Sequence, residues 1–362
     1  MAIKMADLWQ YYLLIITISI QGLFCLKQNN RIFLGITFLE LLFVSGFRAW
    51  HIGNDTFTYV NVFIASTSSI DMSQSYMEKG YLLFNKCLSL FTDNPQAILI
   101  VTSFIILGAI FYFIYKYSKF VFLSTLFFVI IQFSITLTMI RQEMALIIVL
   151  LGFSFVIKRQ FIKFLICCLL ATTFHNSAII AIVWYFIYPL NVKIKNIIAI
   201  LIVTILIFIF SAPFIDNVFD ILGKYQGYVG NRLMGEEIKV ASIVNSLICF
   251  VVFLFCFISY FFVCAKSEKN DAFIIRPQFL VLSSLIALCI QFISVRGTIL
   301  ERIALYFSFL NIISIPAFVN CYSKNIKIVL EIFIITFFII YASIVFVYRP
   351  EWNYILPFEF CF

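Results

Sequence analysis

The chain has 362 residues, of which 64% are hydrophobic and only 12% charged, with a formal net charge of +8. Ordinary globular domains carry about a quarter charged residues, so this composition excludes a water-solvated enzyme or binding domain, and no nucleic-acid partner is expected. What remains is an all-α, polytopic integral membrane protein, read as a single transmembrane domain over 1–362.

In chain order, the first apolar run is 8–26, which follows a near-neutral start and lacks a small-x-small cleavage site, so it is expected to stay as the first helix. Runs at 95–115, 120–140, 197–212 and 326–348 have the length that crosses a hydrocarbon core. Between apolar runs lie six short basic segments, KQNNR (27–31), KYSK (116–119), KRQFIK (158–163), VKIK (192–195), KSEKNDAFIIR (266–276) and SKNIK (323–327). They hold fourteen of the 25 Lys and Arg but only two of the 17 acids. The positive-inside rule puts them in the cytoplasm, which predicts about twelve crossings with both termini outside.

The outer face then receives two large loops, 48–94 and 213–239, and the polar chemistry with them. A short amphipathic helix is expected at Asp216–Lys224 and another at Gly80–Phe91, just before Pro95 opens the next crossing. Residues 161–188 lie between two cytoplasmic clusters, too long for one crossing and short for two. They predict a recessed hairpin that turns near Phe174-His175-Asn176, below the outer surface. The cysteines sit mostly inside apolar runs without CxxC spacing and read as small buried hydrophobes.

Five arginines stand at or near outer helix ends: Arg48, Arg141, Arg232, Arg296 and Arg302. A guanidinium stays charged and grips phosphate oxygens through a planar fork, so a convergent set would hold a diphosphate at the membrane boundary; singly, each could snorkel. Arg141 and Arg302 sit where one apolar run meets the next with almost no loop, which turns them toward the bundle. The chain has two histidines. His175 at the hairpin apex is the better candidate base, with a satisfied buried imidazole as the alternative; His51, beside Trp50, reads as an interface residue. Asp55 in the turn-like Gly53-Asn54-Asp55 is either an N-cap for a helix starting near Thr56 or an acid–base group. Glu40, mid-helix, must be protonated or paired, and Glu331 pairs with Lys327 one turn away. No DxD, HExxH or Walker pattern supports metal or nucleotide chemistry, so no cofactor and no metal are expected.

The segment Arg48-Ala-Trp-His-Ile-Gly53-Asn-Asp55-Thr-Phe-Thr-Tyr59-Val-Asn-Val-Phe63 resembles the RxxxxGxDxxxYxxxF signature of EpsG-like, Wzy-type bacterial polysaccharide polymerases. Glu78-Lys-Gly80-Tyr81, Ser118-Lys119, Arg141-Gln142, Phe174-His175-Asn-Ser177 and Arg302 with Tyr306-Phe307 continue the resemblance in order. It implies transfer of a growing glycan from undecaprenyl diphosphate to the terminal sugar of another lipid-linked repeat unit, on the outer face of the bacterial cytoplasmic membrane, for O-antigen of lipopolysaccharide, capsule or exopolysaccharide. The expected partners are undecaprenyl-diphosphate-linked oligosaccharide, membrane lipid and a chain-length-regulating co-polymerase.

On that reading Arg141 and Arg302, with Arg48 and Arg296, face the diphosphate, and His175 or Asp55 faces the acceptor hydroxyl. Trp50, Tyr59, Glu78 and Tyr81 bind carbohydrate. A membrane O-acyltransferase would use His and Arg reachable from the cytoplasm, and a lipid-linked oligosaccharide flippase would show internal repeats and midplane ionisable groups; neither pattern is evident.

Overall fold

With no water to bond a backbone inside a bilayer, apolar runs of this length must satisfy their own amides, and helices do so. The computed structural model describes residues 5–25, 29–68, 77–222, 240–264, 272–295, 297 and 300–362, with the backbone alone at 5–6, 210–222, 240–241 and 351. The described residues are mostly helical, with no strand. Five helices are long and apolar enough to cross a membrane, or six if one bent pair counts as a single span. Five further apolar helices run 10–17 residues. The chain is a polytopic membrane protein.

The helices fall into two compact units. The first, residues 1–179 with 323–362, holds α1 (Trp9–Cys25), α2 (Asn30–Gly46), α3 (Thr56–Thr67), α4 (Lys79–Ser89), α5 (Gln96–Tyr117), α6 (Val121–Phe127), α7 (Phe133–Thr138), α8 (Ile140–Ile157) and α9 (Phe161–Thr172). Its core is α5 and α8, with α2 against α5 and α9 against α8. The second, 180–322, holds α10 (Val183–Ile187), α11 (Ile194–Leu222), α12 (Val240–Ile258), α13 (Pro277–Ile293), α14 (Glu301–Ser308) and α15 (Asn311–Val319), with α13 packed on α12, α14 and α11. Helix α16 (Lys324–Tyr348) returns to the first unit and keeps Val329, Ile332, Phe333 and Ile340 more than half exposed, an apolar face suited to lipid.

Several sequence expectations meet particular structure. Glu40 is satisfied rather than stranded: its carboxylate accepts from Thr17 and Gln21 of α1, and Thr37 closes the set on Gln21 Oε1 at 2.8 Å. Lys327 and Glu331 lie 3.7 Å apart. The helix expected at 216–224 is not separate through 222, because α11 runs unbroken over Ile194–Leu222; residues 223–239, Arg232 among them, lie outside the described residues. Gly80–Phe91 forms α4 at Lys79–Ser89, and α5 begins directly after Pro95.

Between α6 and α7 the chain takes one π-helical turn, Phe128–Gln132. Such bulges break the regular ladder and often mark functional sites. Helix α7 ends at Thr138, and Met139 alone separates it from α8. That corner, as its one-residue connection requires, puts Arg141 in the first turn of α8. Helix α9 covers twelve residues, about 18 Å at 1.5 Å per residue and short of a 30 Å core. It stops at Thr172, and the chain turns through Thr173–His175 into a 3-10 segment starting at Asn176.

Candidate functional site

The C-terminal end of α2 leads into the signature loop, where residues alternate in environment. Arg48 pairs across an isolated antiparallel bridge with Phe360 of the C-terminal tail, and its side chain turns inward to 1% exposure. Its guanidinium donates to Ser45 O and to Leu137 O, the latter at 3.1 Å. Both carbonyls belong to the last turns of helices, α2 and α7, where unpaired C=O groups concentrate negative charge. Arg48 therefore ties the end of α2 to the α7–α8 corner, and its Nε–H makes no hydrogen bond. Burial draws the guanidinium down to about 9 while Tyr81 works against that, so it stays a cation at neutral pH.

Gly53 sits against the same corner with φ +96°. A Cβ there would lie 2.7 Å from Leu137 O and 2.6 Å from Thr56 Oγ1, so both the dihedral and the space require glycine. Asp55 occupies the N-cap position of α3, but its side chain makes no capping bond. The hydroxyl of Thr56 binds Ile52 O and Leu137 O instead, at 2.7 and 3.2 Å. The capping role open to Asp55 in the sequence is thus unfilled, and the half-buried carboxylate is available for other work.

Tyr59 of α3 and Tyr81 of α4 are 2% and 0% exposed and meet edge to face, ring centroids 5.6 Å apart. Neither ring offers an open face for a sugar. Their placement does something else: the Arg141 guanidinium lies over the Tyr59 ring at 5.8 Å, a cation–π contact. The Tyr81 hydroxyl makes no hydrogen bond, and burial raises its phenol well above the usual range, with Tyr59 adding to the rise. Arg141 forms an ion pair with Glu78, both side chains being about six-sevenths buried at 14% and 13% exposure, and leaves its own Nε–H without a bond.

Glu78 also reaches the α9 apex, where the Asn176 backbone N–H donates to its Oε1 at 3.4 Å. The same apex is anchored by Gly80 N–H to Thr173 O at 2.9 Å. Gly80 allows that approach, since a Cβ would come within 2.7 Å of Thr173 O. His175, half-buried, hydrogen-bonds through Nδ1 to Ser177 Oγ at 2.7 Å, which fixes the ring. In the first unit the structure thus gathers Arg141, Glu78, Tyr59, Tyr81 and the His175 apex, with Arg48 behind them. Arg302 and Tyr306 belong to α14 of the second unit, and Arg296 lies outside the described residues.

Trp50 and His51 point elsewhere. Trp50 donates to Gln96 Oε1 at 2.8 Å, and His51 pairs with Glu359 at 3.4 Å in an exposed contact. They line an open groove of about 830 Å³ with Phe360 and Phe362. Sequence reading missed Gln96, whose amide donates to Gly46 O and Arg48 O at 2.7 and 3.0 Å and so shapes the signature loop from α5. It also missed Glu143, fully buried with neither carboxylate oxygen bonded; the signal was its position two residues past Arg141 in an apolar run.

Residues 31–360, nearly the whole chain, match the EpsG family. The chain belongs to the EpsG family. No curated protein and no solved structure matches it. EpsG-like proteins are Wzy-type polysaccharide polymerases, so this member is a polysaccharide polymerase at family level. The matched range contains all the residues gathered above. Among the described residues, no three His, Cys, Asp or Glu side chains cluster as metal ligands. The donors that converge on Glu78, a guanidinium and a backbone N–H, are suited to an anion.

Proposed function

We propose that the protein transfers a growing glycan from undecaprenyl diphosphate to a terminal sugar hydroxyl of a second undecaprenyl-diphosphate-linked repeat unit. The reaction takes place on the outer face of the bacterial cytoplasmic membrane, in a chain of about twelve crossings with both ends outside. The acceptor oxygen attacks the donor's anomeric carbon, the C–O bond to the diphosphate breaks, and the hydroxyl proton passes to a protein base. Both substrates arrive activated and lipid-anchored. The protein's part is then to hold the departing diphosphate and to take that proton.

The observation that carries this reading is the buried Arg141 at the end of a membrane-crossing helix, one carboxylate away from the His175 apex, within a chain of the EpsG family. Arg141 receives the diphosphate, and Arg48 fixes the corner that aims it; the roles of Arg302 and Arg296 toward the diphosphate rest on the sequence resemblance alone. His175, oriented by Ser177, accepts the hydroxyl proton, and the half-buried Asp55 is the second carrier of that role. The open aromatic face available to a sugar is Trp50, 36% exposed, while Tyr59 and Tyr81 position Arg141. A co-polymerase sets chain length from outside the site.

The test is surface-polysaccharide length on gels from a deletion strain complemented with wild type, Arg141→Ala, Arg302→Ala or His175→Ala, with membrane levels measured. Wild type should restore a ladder, and each variant should leave a single-repeat product at normal protein level. Long chains from both arginine variants would overturn the diphosphate assignment. Loss of even the single repeat in the deletion strain would indicate flipping instead.

A further inference from the structure

Resting on the diphosphate assignment just made, the geometry points to Glu78 as a specificity-determining residue, a tethered anion that fills the site and yields it only to a diphosphate. Glu78 begins α4 at the N-cap position, yet its side chain makes no capping bond to its own helix. It spends both oxygens elsewhere: Oε2 on the Arg141 guanidinium and Oε1 on the Asn176 backbone N–H. One carboxylate bridged between a guanidinium and a backbone amide is how two non-bridging phosphate oxygens would be held. A buried donor beside it, the Arg141 Nε–H, has no bond. The site therefore presents more donors than a carboxylate can fill, and a larger anion uses more of them.

The consequence is selectivity. A site of bare arginine at the membrane boundary would collect the phosphodiester headgroups of the surrounding lipid, each carrying one negative charge. With Glu78 in place, an incoming monoanion only exchanges one charge for another, and gains nothing in Coulomb energy for its own desolvation. A diphosphate brings more charge and more acceptor oxygens, reaches the unbonded Arg141 Nε–H as well, and displaces the carboxylate. Discrimination by an occupant that the wrong ligand cannot profitably replace is a difference of affinities built into the free protein.

The experiment uses the full chain in detergent micelles, with inorganic pyrophosphate and diethyl phosphate, a monoanionic diester, as probes, and their dissociation constants measured for wild type, Glu78→Gln, Glu78→Asp and Arg141→Ala. Glutamine keeps the size and an acceptor oxygen but removes the charge. Wild type should favour pyrophosphate by at least roughly tenfold, the scale of one charged hydrogen bond. Glu78→Gln should bind both probes more tightly and narrow the ratio several-fold, chiefly by admitting the diester, whereas Glu78→Asp should hold a ratio near wild type. An unchanged ratio in Glu78→Gln, or weaker pyrophosphate binding, overturns the role given to Glu78. If instead Arg141→Ala binds pyrophosphate as wild type does, the diphosphate assignment itself fails, and the two failures are told apart by which variant shows them.

Discussion

Arg48 and Arg141 are the same residue type in two different jobs, and their surroundings separate them. Arg48 is 1% exposed and serves two helix-end carbonyls; Arg141 pairs with the Glu78 carboxylate. Lysine presents a point charge and cannot bridge Ser45 O and Leu137 O as a planar fork does. Arg48→Lys should therefore destabilise the solubilised protein by about 2–4 kcal/mol, the range for breaking one side of a buried charged contact, visible as a lower unfolding midpoint. Arg141→Lys keeps a cation opposite Glu78 in this largely buried pair and should lower that midpoint less than Arg48→Lys does, while removing long polymer. Equal thermal loss in both variants would mean that Arg141 is structural too. Sequence showed both arginines and their proximity to helix ends, but not this difference. Which carbonyl a guanidinium meets depends on the α7–α8 corner, 89 residues from Arg48 in the chain.

At the scale of elements, the C-terminal tail behaves as a strap over the signature loop. Ala49 N–H bonds Glu359 O at 2.9 Å, Gly53 N–H bonds Tyr354 O at 2.9 Å, and Cys361 N–H bonds Phe47 O at 2.9 Å. The Gln10 side chain of α1 ties down Phe358 through both its amide atoms, at 2.8 and 2.7 Å. These bonds hold the loop that contains Arg48, Gly53 and Asp55. Each net hydrogen bond contributes about 0.5–1.5 kcal/mol, so removing residues 353–362 should cost several kcal/mol and shorten the polymer. Glu359→Ala breaks only the exposed pair with His51 and should cost no more than about 1 kcal/mol. A truncated chain with wild-type midpoint and ladder would refute the strap. The break at Thr173–His175 was legible from segment length, and the helix before Pro95 from its amphipathic pattern. The strap was not: its partners are about 300 residues apart in sequence and are joined by main-chain bonds that any residue can make.

For the whole molecule, the basic segments between apolar runs predict an orientation by the positive-inside rule, with the signature loop outside. The outward placement of the proposed site follows from that charge pattern, and the exposed cysteines test it. Of the ten cysteines, all of them free of disulfides, Cys87 on α4 and Cys361 in the tail are exposed. Cys87 belongs to the segment 48–94, expected outside from the charge pattern, and Cys361 lies beside Phe47 at its start. An exposed thiol in water reacts with maleimide through its thiolate, whereas one buried or facing lipid does not. A membrane-impermeant maleimide should label the wild-type chain in right-side-out spheroplasts, and the Cys87→Ser/Cys361→Ser double variant should lose that label. Inverted vesicles should give the opposite result, with both thiols sealed inside. Labelling confined to inverted vesicles would place Glu78, Arg141 and the His175 apex on the cytoplasmic side, where donors for an acyltransferase reside. The positive-inside assignment and the polymerase orientation would then fall together.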